Sequence, residues 1–276
     1  MDSESLPGSL EHVSGTGVVL TPEQKAALQV SLVILQGHYR FKRVLFWGKI
    51  LGIHADYYIA QGIGQDEMHD KKNLYSLNCI DWNLLPPATD SSIAELTLIK
   101  GRFMGDPSHE YEFTKIKKTG TDDEAQEEEI LVKCKEETRL AATIAVIDRD
   151  VAVVPRGAYL KTPLSQVEKN RSFQGLSVSE AVKIRSYFHL SEPTHLKKKT
   201  LLQQADLDPS FDFLDTLEED IPKGSWSLQT ERGSSLVVLR SLLWLGLTCY
   251  HIPCTSQYGY IYMGFGEKNM DLPFML

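Results

Sequence analysis

The stretch Arg43-Val-Leu-Phe-Trp-Gly-Lys-Ile-Leu51 places β-forming side chains at odd and even positions alike. A strand with one face in water alternates apolar and polar residues, so this run predicts a central strand covered on both faces. That requirement constrains the fold more than any other feature of the chain. Gly52-Ile-His54 can turn the chain, and Asp56-Tyr-Tyr-Ile-Ala60 can return as a partner strand. Leu74 to Trp82 reads as a further strand, ended by Pro86-Pro87, and Val151-Ala-Val-Val154 as a buried strand closed by Pro155-Arg-Gly157. The C-terminal quarter is the most β-like. Trp226, Leu228 and Thr230 alternate, Leu236 to Leu243 is apolar, and Tyr258, Tyr260 and Tyr262 occupy one face of another strand.

Helices are punctuated between these strands. Thr21 as N-cap, Pro22 at the first helical position and Gln24 completing a capping box open a helix that carries Leu28, Leu32 and Leu35 and should stop at Gly37. Asp90 caps a short helix with Ile93, Leu96 and Ile99, ended by Gly101. Leu140, Ala141, Ile144 and Ile147 mark an amphipathic helix. Ser177 and Glu180 suggest a second capping box, before Val178, Ala181, Val182 and Phe188; residues 191–222 read as polar and short-helical. The expected class is α+β, with short helices packed on a largely antiparallel β-sheet and a β-rich C-terminal part.

The expected organisation is a mobile N-terminal lead-in over 1–20, then a single domain over 21–276. His109, Tyr111 and Phe113 alternate with polar residues as in a half-exposed strand. The run Thr121 to Glu129 then holds six acids and no base. Its self-repulsion predicts a solvated acidic loop at 119–129.

Charge and cysteine content exclude several classes. Lys and Arg total 29 against 37 Asp and Glu, a net charge of -8, so the chain lacks the basic field of a nucleic-acid binder. Four cysteines in 276 residues are too few for a disulfide scaffold. Met1-Asp-Ser-Glu-Ser has neither a basic nor an apolar leader region, so an intracellular chain is expected and the sequon Asn170-Arg-Ser172 reads as coincidence. Leu236 to Ile252 is interrupted by Arg240, Thr248 and His251, which favours buried sheet over a membrane span. The basic clusters Arg40-Lys42-Arg43 and Lys115-Lys117-Lys118 are small enough to be solvated faces or partner patches.

The candidate chemistry is thin. Asp206-x-Asp208-x-Ser210-x-Asp212 resembles the start of a calcium loop, but Phe211 stands at the position of the required Gly and Leu217 at that of the bidentate Glu. Cys249-x-His251-x-x-Cys254 is a cluster of soft ligands short of the four that a structural zinc site needs. Gly264-x-Gly266 lacks a third glycine, and no Gly-x-Ser-x-Gly elbow occurs. No catalytic, cofactor or metal residue is assigned. Tyr57-Tyr58 and the Tyr258, Tyr260 and Tyr262 face are amphipathic groups of the kind enriched at protein interfaces, and all five are candidate partner contacts, with ordinary sheet packing as the competing reading.

Several strings resemble the radial spoke head proteins of motile cilia and flagella. They are Arg43 to Gly52, Ala55-Asp-Tyr-Tyr-Ile-Ala-Gln-Gly62, Leu74-Tyr-Ser-Leu-Asn-Cys79, Lys135-Glu-Glu-Thr-Arg-Leu140 and Val153-Val-Pro-Arg-Gly157, then Ile221-Pro-Lys-Gly-Ser-Trp226, Val238-Leu-Arg-Ser-Leu-Leu-Trp244 and Gly266 to Leu276. The likeness runs from about residue 21 to the C-terminus; Leu245 departs from it, where the family usually has Pro after Trp. The resemblance implies a non-enzymatic subunit of the radial spoke head, in the cytoplasm and the ciliary or flagellar axoneme. It implies partners of the four/six type and other head subunits, with indirect contact to the central pair apparatus and through it control of dynein. It implies no cofactor, no nucleic acid and no membrane. The competing expectations are a cytosolic adaptor outside cilia, or an enzyme with a site assembled around Cys249, His251 and Cys254.

Overall fold

The computed structural model describes residues 1–3, 5–13, 19–96, 99, 101–119 and 126–275. Helices α1 (Leu6–His12) and α2 (Pro22–Tyr39) precede a meander of β1 (Arg43–Ile50), β2 (Tyr57–Ile63), β3 (Lys71–Ser76) and β4 (Asn83–Leu84). After α3 (Asp90–Leu96), β5 (Glu110–Thr119) and β6 (Gln126–Lys135) pair as a separate ribbon that runs straight into α4 (Glu136–Val151). Short pieces follow: β7 (Val153–Pro155), β8 (Tyr159–Lys161), β9 (Val167–Lys169), α5 (Val178–Ala181), β10 (Tyr187–His189) and α6 (Leu201–Ala205). A second meander, β11 (Trp226–Glu231), β12 (Leu236–Ser241), β13 (Leu247–His251) and β14 (Tyr258–Gly264), leads to α7 (Leu272–Met275).

The two meanders form one eight-stranded sheet in the order β11-β12-β13-β14-β1-β2-β3-β4. Its neighbours are antiparallel except at the join, where β1 and β14 run parallel with Gly48 opposite Tyr262. The α+β class with a largely antiparallel sheet is therefore what the chain adopts.

Both faces of this sheet are covered, as the Arg43–Leu51 run requires. Trp47, Tyr57, Ile59, Leu239, Tyr260 and Tyr262 pack in one core with Leu140, Ile144 and Ile147 of α4. Phe46, Tyr58, Val238, Tyr250 and Ile261 pack in the other with Leu6 of α1 and Leu28 and Leu32 of α2. Neighbouring residues such as Tyr57 and Tyr58 thus enter different cores, the period-two geometry of a strand. The join needs Gly48. A bulge between Phe46 and Gly48 shifts the register, Gly48 takes φ +148°, and a Cβ there would lie 1.9 Å from the Tyr262 carbonyl oxygen.

Several expectations are corrected. Residues 1–3 and 5–13 are not a mobile lead-in: Leu6, Leu10 and Val13 recur at helical spacing and are buried, and Arg43 holds Asp2 at 2.8 Å. The Ser and Gly content obscured this apolar stripe; residues 4 and 14–18 lie outside the described residues. The α2 helix passes Gly37 and ends at Tyr39, with Arg40 left-handed at φ 57°. One helical glycine costs about 1 kcal/mol, which the buried leucine stripe outweighs.

The acidic loop expected at 119–129 is shorter than that. Residues 120–125 lie outside the described residues, but Gln126 to Glu129 belong to β6, where the register sets Glu128 opposite Lys117 and Glu127 opposite Lys118. The strand expected over Leu74 to Trp82 ends at Ser76, because Asn78 Oδ1 accepts from the amides of Ile80 and Asp81 at 2.9 Å each and turns the chain. The second capping box does not close. Ser177 Oγ accepts from the Glu180 amide at 3.3 Å, yet the Glu180 carboxylate takes Lys183 Nζ at 2.6 Å, α5 is a single turn, and Phe188 lies in β10.

Candidate interaction surface

Of the five tyrosines expected at a partner contact, four are buried within the chain and one is half-buried. Tyr57, Tyr58, Tyr260 and Tyr262 are buried, and Tyr258 is half-buried, edge-on to Phe173 with ring centroids 5.8 Å apart. Their hydroxyls are engaged where the geometry is clearest. Tyr57 donates to Glu136 Oε1 at 2.6 Å, Tyr58 accepts from Gln24 Nε2 at 2.6 Å, and Tyr262 accepts from the Gly266 amide at 2.9 Å. Tyr258, Tyr260 and Tyr262 do share one face, but α4 and the segment 152–190 cover it. Tyr57, Tyr58, Tyr260 and Tyr262 are thus covered by the chain's own layers, while Tyr258 keeps part of its surface. Burial also pushes the Tyr262 hydroxyl up to about 12.

The groups best suited to chemistry are likewise held in structural bonds. The His251 imidazole is fully buried; Nε2 accepts from the Leu176 amide at 3.1 Å and Nδ1 lies 3.1 Å from the Gln257 carbonyl oxygen. Burial lowers its pKa, so the ring is neutral, and neither nitrogen is free for a metal. Cys249 is buried beside it, whereas Cys254 is exposed in a turn at φ 59°. Among the described residues no group of three or more His, Cys, Asp or Glu is placed to hold a metal ion.

The acids at 206–220 are not a uniform solvated face. Asp212 is buried and takes Arg156 through two bonds of 2.7 Å, and Asp215 is buried and accepts from the amides of Thr194, His195 and Leu196. Burial alone would raise the Asp215 pKa, but those three amides together outweigh it and the pKa falls below the usual carboxylate value.

The surface that does stand out is the outer side of α2. This helix is apolar on two sides. Leu28, Leu32 and Leu35 face the sheet, while Val30 at 61% exposure, Ile34 at 65% and the neighbouring Val33 face outward. An ordinary surface helix presents polar groups there. The loop after β3 forms the second wall. Ser31 Oγ donates to the Cys79 carbonyl at 2.7 Å and accepts from Trp82 Nε1 at 3.2 Å, which brings Ile80, at 62% exposure, alongside the helix. Val30, Ile34, Ile80 and Trp82 line a groove of about 510 Å³, with Val33 exposed beside it. It has the chemistry of a protein contact, with little polar lining with which to bind or activate a small substrate. The signal was present in the sequence: Val30, Val33 and Ile34 stand at i, i+3 and i+4 on the side opposite the leucine stripe.

A smaller apolar group lies at the end of the sheet where β14 exits. Leu245, Phe265, Met270 and Phe274 are exposed, and Asn269 fixes this end by donating its amide to the Leu243 carbonyl at 2.8 Å and Nδ2 to the Leu242 carbonyl at 3.1 Å.

Comparison with known proteins gives a consistent answer. The family profile described as Radial spokehead-like protein matches residues 3–195. The chain is 60% identical over 276 residues to the Radial spoke head protein 9 homolog of Homo sapiens, and equally so to that of Bos taurus, covering 100% of the chain and of each relative. To the Danio rerio protein of the same name it is 58% identical over 277 residues, again covering 100% of both. Residues beyond 195 supply β11 to β14 and so complete the sheet that the matched segment begins.

Proposed function

The chain belongs to the radial spokehead-like protein family, and on that premise we propose that it is a non-catalytic structural subunit of the radial spoke head in the axoneme of cilia and flagella. The observation that carries this reading is end-to-end similarity to proteins named radial spoke head protein 9 homologues, at 56–60% identity with 100% of each covered. Its place is in head assembly, bound to subunits of the four/six type, and through the head it contributes to central-pair control of dynein. The apolar groove of α2 supports a contact role of this kind, since an exposed helix face of Val30, Val33 and Ile34 is stabilised by cover from a partner. The engagement of His251, Glu136 and Asp215 in bonds that hold the fold favours a structural over a catalytic task. A single domain over residues 21–276, with α1 packed onto it, fits the same reading.

Depletion of the chain from motile ciliated cells tests this proposal. Axonemes imaged by electron tomography should keep their spoke stalks, lose head density and beat abnormally. Complete heads and a normal beat would overturn it and leave an adaptor role outside cilia.

A further inference from the structure

The two edges of the central sheet are finished differently. At one, β4 is two residues long and runs through Leu85 into Pro86-Pro87, a short, proline-blocked edge of the kind that resists pairing. At the other, β11 presents six residues, Trp226 to Glu231, with neither proline nor lysine among them. Its register on β12 pairs Ser227 with Arg240, Gln229 with Val238 and Glu231 with Leu236, and one step earlier the Leu242 amide donates to the Ser225 carbonyl at 2.9 Å. In an antiparallel ladder alternate residues bond inward. Residues 225, 227, 229 and 231 therefore bond to β12, and the N–H and C=O groups of Trp226, Leu228 and Thr230 point outward in the plane of the sheet. No partner for those outward groups is present among the described residues.

We propose that this edge pairs with the same edge of a second copy of the chain, antiparallel about a two-fold axis at Leu228. This inference does not depend on the spoke-head reading. With the axis there, Leu228 faces Leu228 of the second copy and Trp226 faces Thr230, so the outward N–H groups on both chains meet outward carbonyls. Six hydrogen bonds form and the free ladder is fully used, which a shift of the axis by two residues would not achieve. Charge permits the same register. Glu231 faces Ser225, Gln229 faces Ser227, and Glu231 already has Arg240 at 3.3 Å within its own chain. No like charges stand opposite one another, although each copy carries a net charge of -8. The contact is isologous and closes on itself, giving a dimer with a continuous sheet instead of a fibre.

Sedimentation of the purified full-length chain across a concentration series tests the pairing, with hydrogen exchange read on the same samples. The expected result is a concentration-dependent dimer, in which the amides of Trp226, Leu228 and Thr230 slow on dimerisation while that of Ser227 is protected throughout. Leu228→Pro removes an N–H that no strand of its own chain uses, so it should abolish the dimer and leave the folded monomer. Should that variant fail to fold, Leu228→Lys keeps the N–H but sets two ammonium groups across the axis; it should weaken dimerisation at least about tenfold, with recovery at high salt. A wild-type chain that stays monomeric throughout, or a dimer that both substitutions leave unchanged, would overturn the proposal.

Discussion

The Tyr57 hydroxyl donates a 2.6 Å hydrogen bond to the Glu136 carboxylate, joining β2 to the first residue of α4 across 79 positions of sequence. The same carboxylate accepts from Tyr111 and from the amides of Met104 and Gly105, at 2.8 and 2.7 Å. One buried acid thus fixes the helix, the ribbon of β5 and β6 and the 104–106 segment against the sheet.

Removing that acid should be costly. Glu136→Ala leaves the hydroxyls of Tyr57 and Tyr111 and the amides of Met104, Gly105 and Asp106 without this acceptor, and about 3–5 kcal/mol of stability should be lost in urea denaturation. Tyr57→Phe deletes a single bond and should cost about 1–2 kcal/mol. Near-wild-type stability of the alanine variant would contradict the assignment of Glu136 as the tie.

Acid should unfold the protein in two stages. His251 is held neutral by burial, its folded pKa below the ordinary 6.5. Its contribution is therefore complete above 6.5 and is lost as pH falls through the lowered folded pKa, because the unfolded chain binds the proton first. Burial alone would raise the pKa of Glu136, but the hydrogen bonds from Tyr111, Tyr57, Met104 and Gly105 outweigh it, and its pKa falls below the ordinary 4.5. That contribution is complete above 4.5 and disappears as pH falls further, through the folded pKa. Denaturation midpoints measured from pH 8 to pH 3 should show both stages. His251→Gln should flatten the first, leaving a residual slope from His12, whose pKa is also lowered by burial.

Gly48→Ala should break the join between the two meanders. The added Cβ meets the Tyr262 carbonyl oxygen at 1.9 Å, and φ +148° suits no L side chain, so at least about 3 kcal/mol should be lost. Thermal unfolding of the purified variant checks this, and a midpoint within a few degrees of wild type would contradict it.

Core and surface positions should separate cleanly. Tyr260→Lys places an ammonium in a fully packed layer and should prevent folding. Ile34→Lys changes an exposed position and should alter stability by less than about 0.5 kcal/mol, yet weaken binding to a four/six-type head subunit. Calorimetry on each variant, paired with co-purification, distinguishes the two. Equal binding by Ile34→Lys and wild type would show that the α2 groove is not the contact surface.

Much of the fold was legible because local signals agreed with it. The Thr21–Gln24 capping box forms as expected, with Gln24 N donating to Thr21 Oγ1 at 3.2 Å and Thr21 N to Gln24 Oε1 at 3.0 Å. The two-faced apolar pattern of β1 found its two cores. The strand order was not legible, because the parallel pairing of β1 with β14 joins residues more than 200 apart and depends on a single bulge at Gly48. The burial of the tyrosines was not legible for a different reason. Tyrosine suits an interface and a core alike, and period-two spacing says which residues share a face but not which layer covers it. Val30, Val33 and Ile34 were visible in the sequence, but only the known position of the leucine stripe turns them into an exposed face.

A structural subunit of the spoke head must be present there in stoichiometric amount. Quantitative mass spectrometry of radial spoke heads isolated from motile cilia tests it most directly. The chain should be retained in the head fraction in a fixed ratio to four/six-type subunits through salt extraction. Its absence from that fraction, with the four/six-type subunits present and assembled, would contradict a structural role in the head.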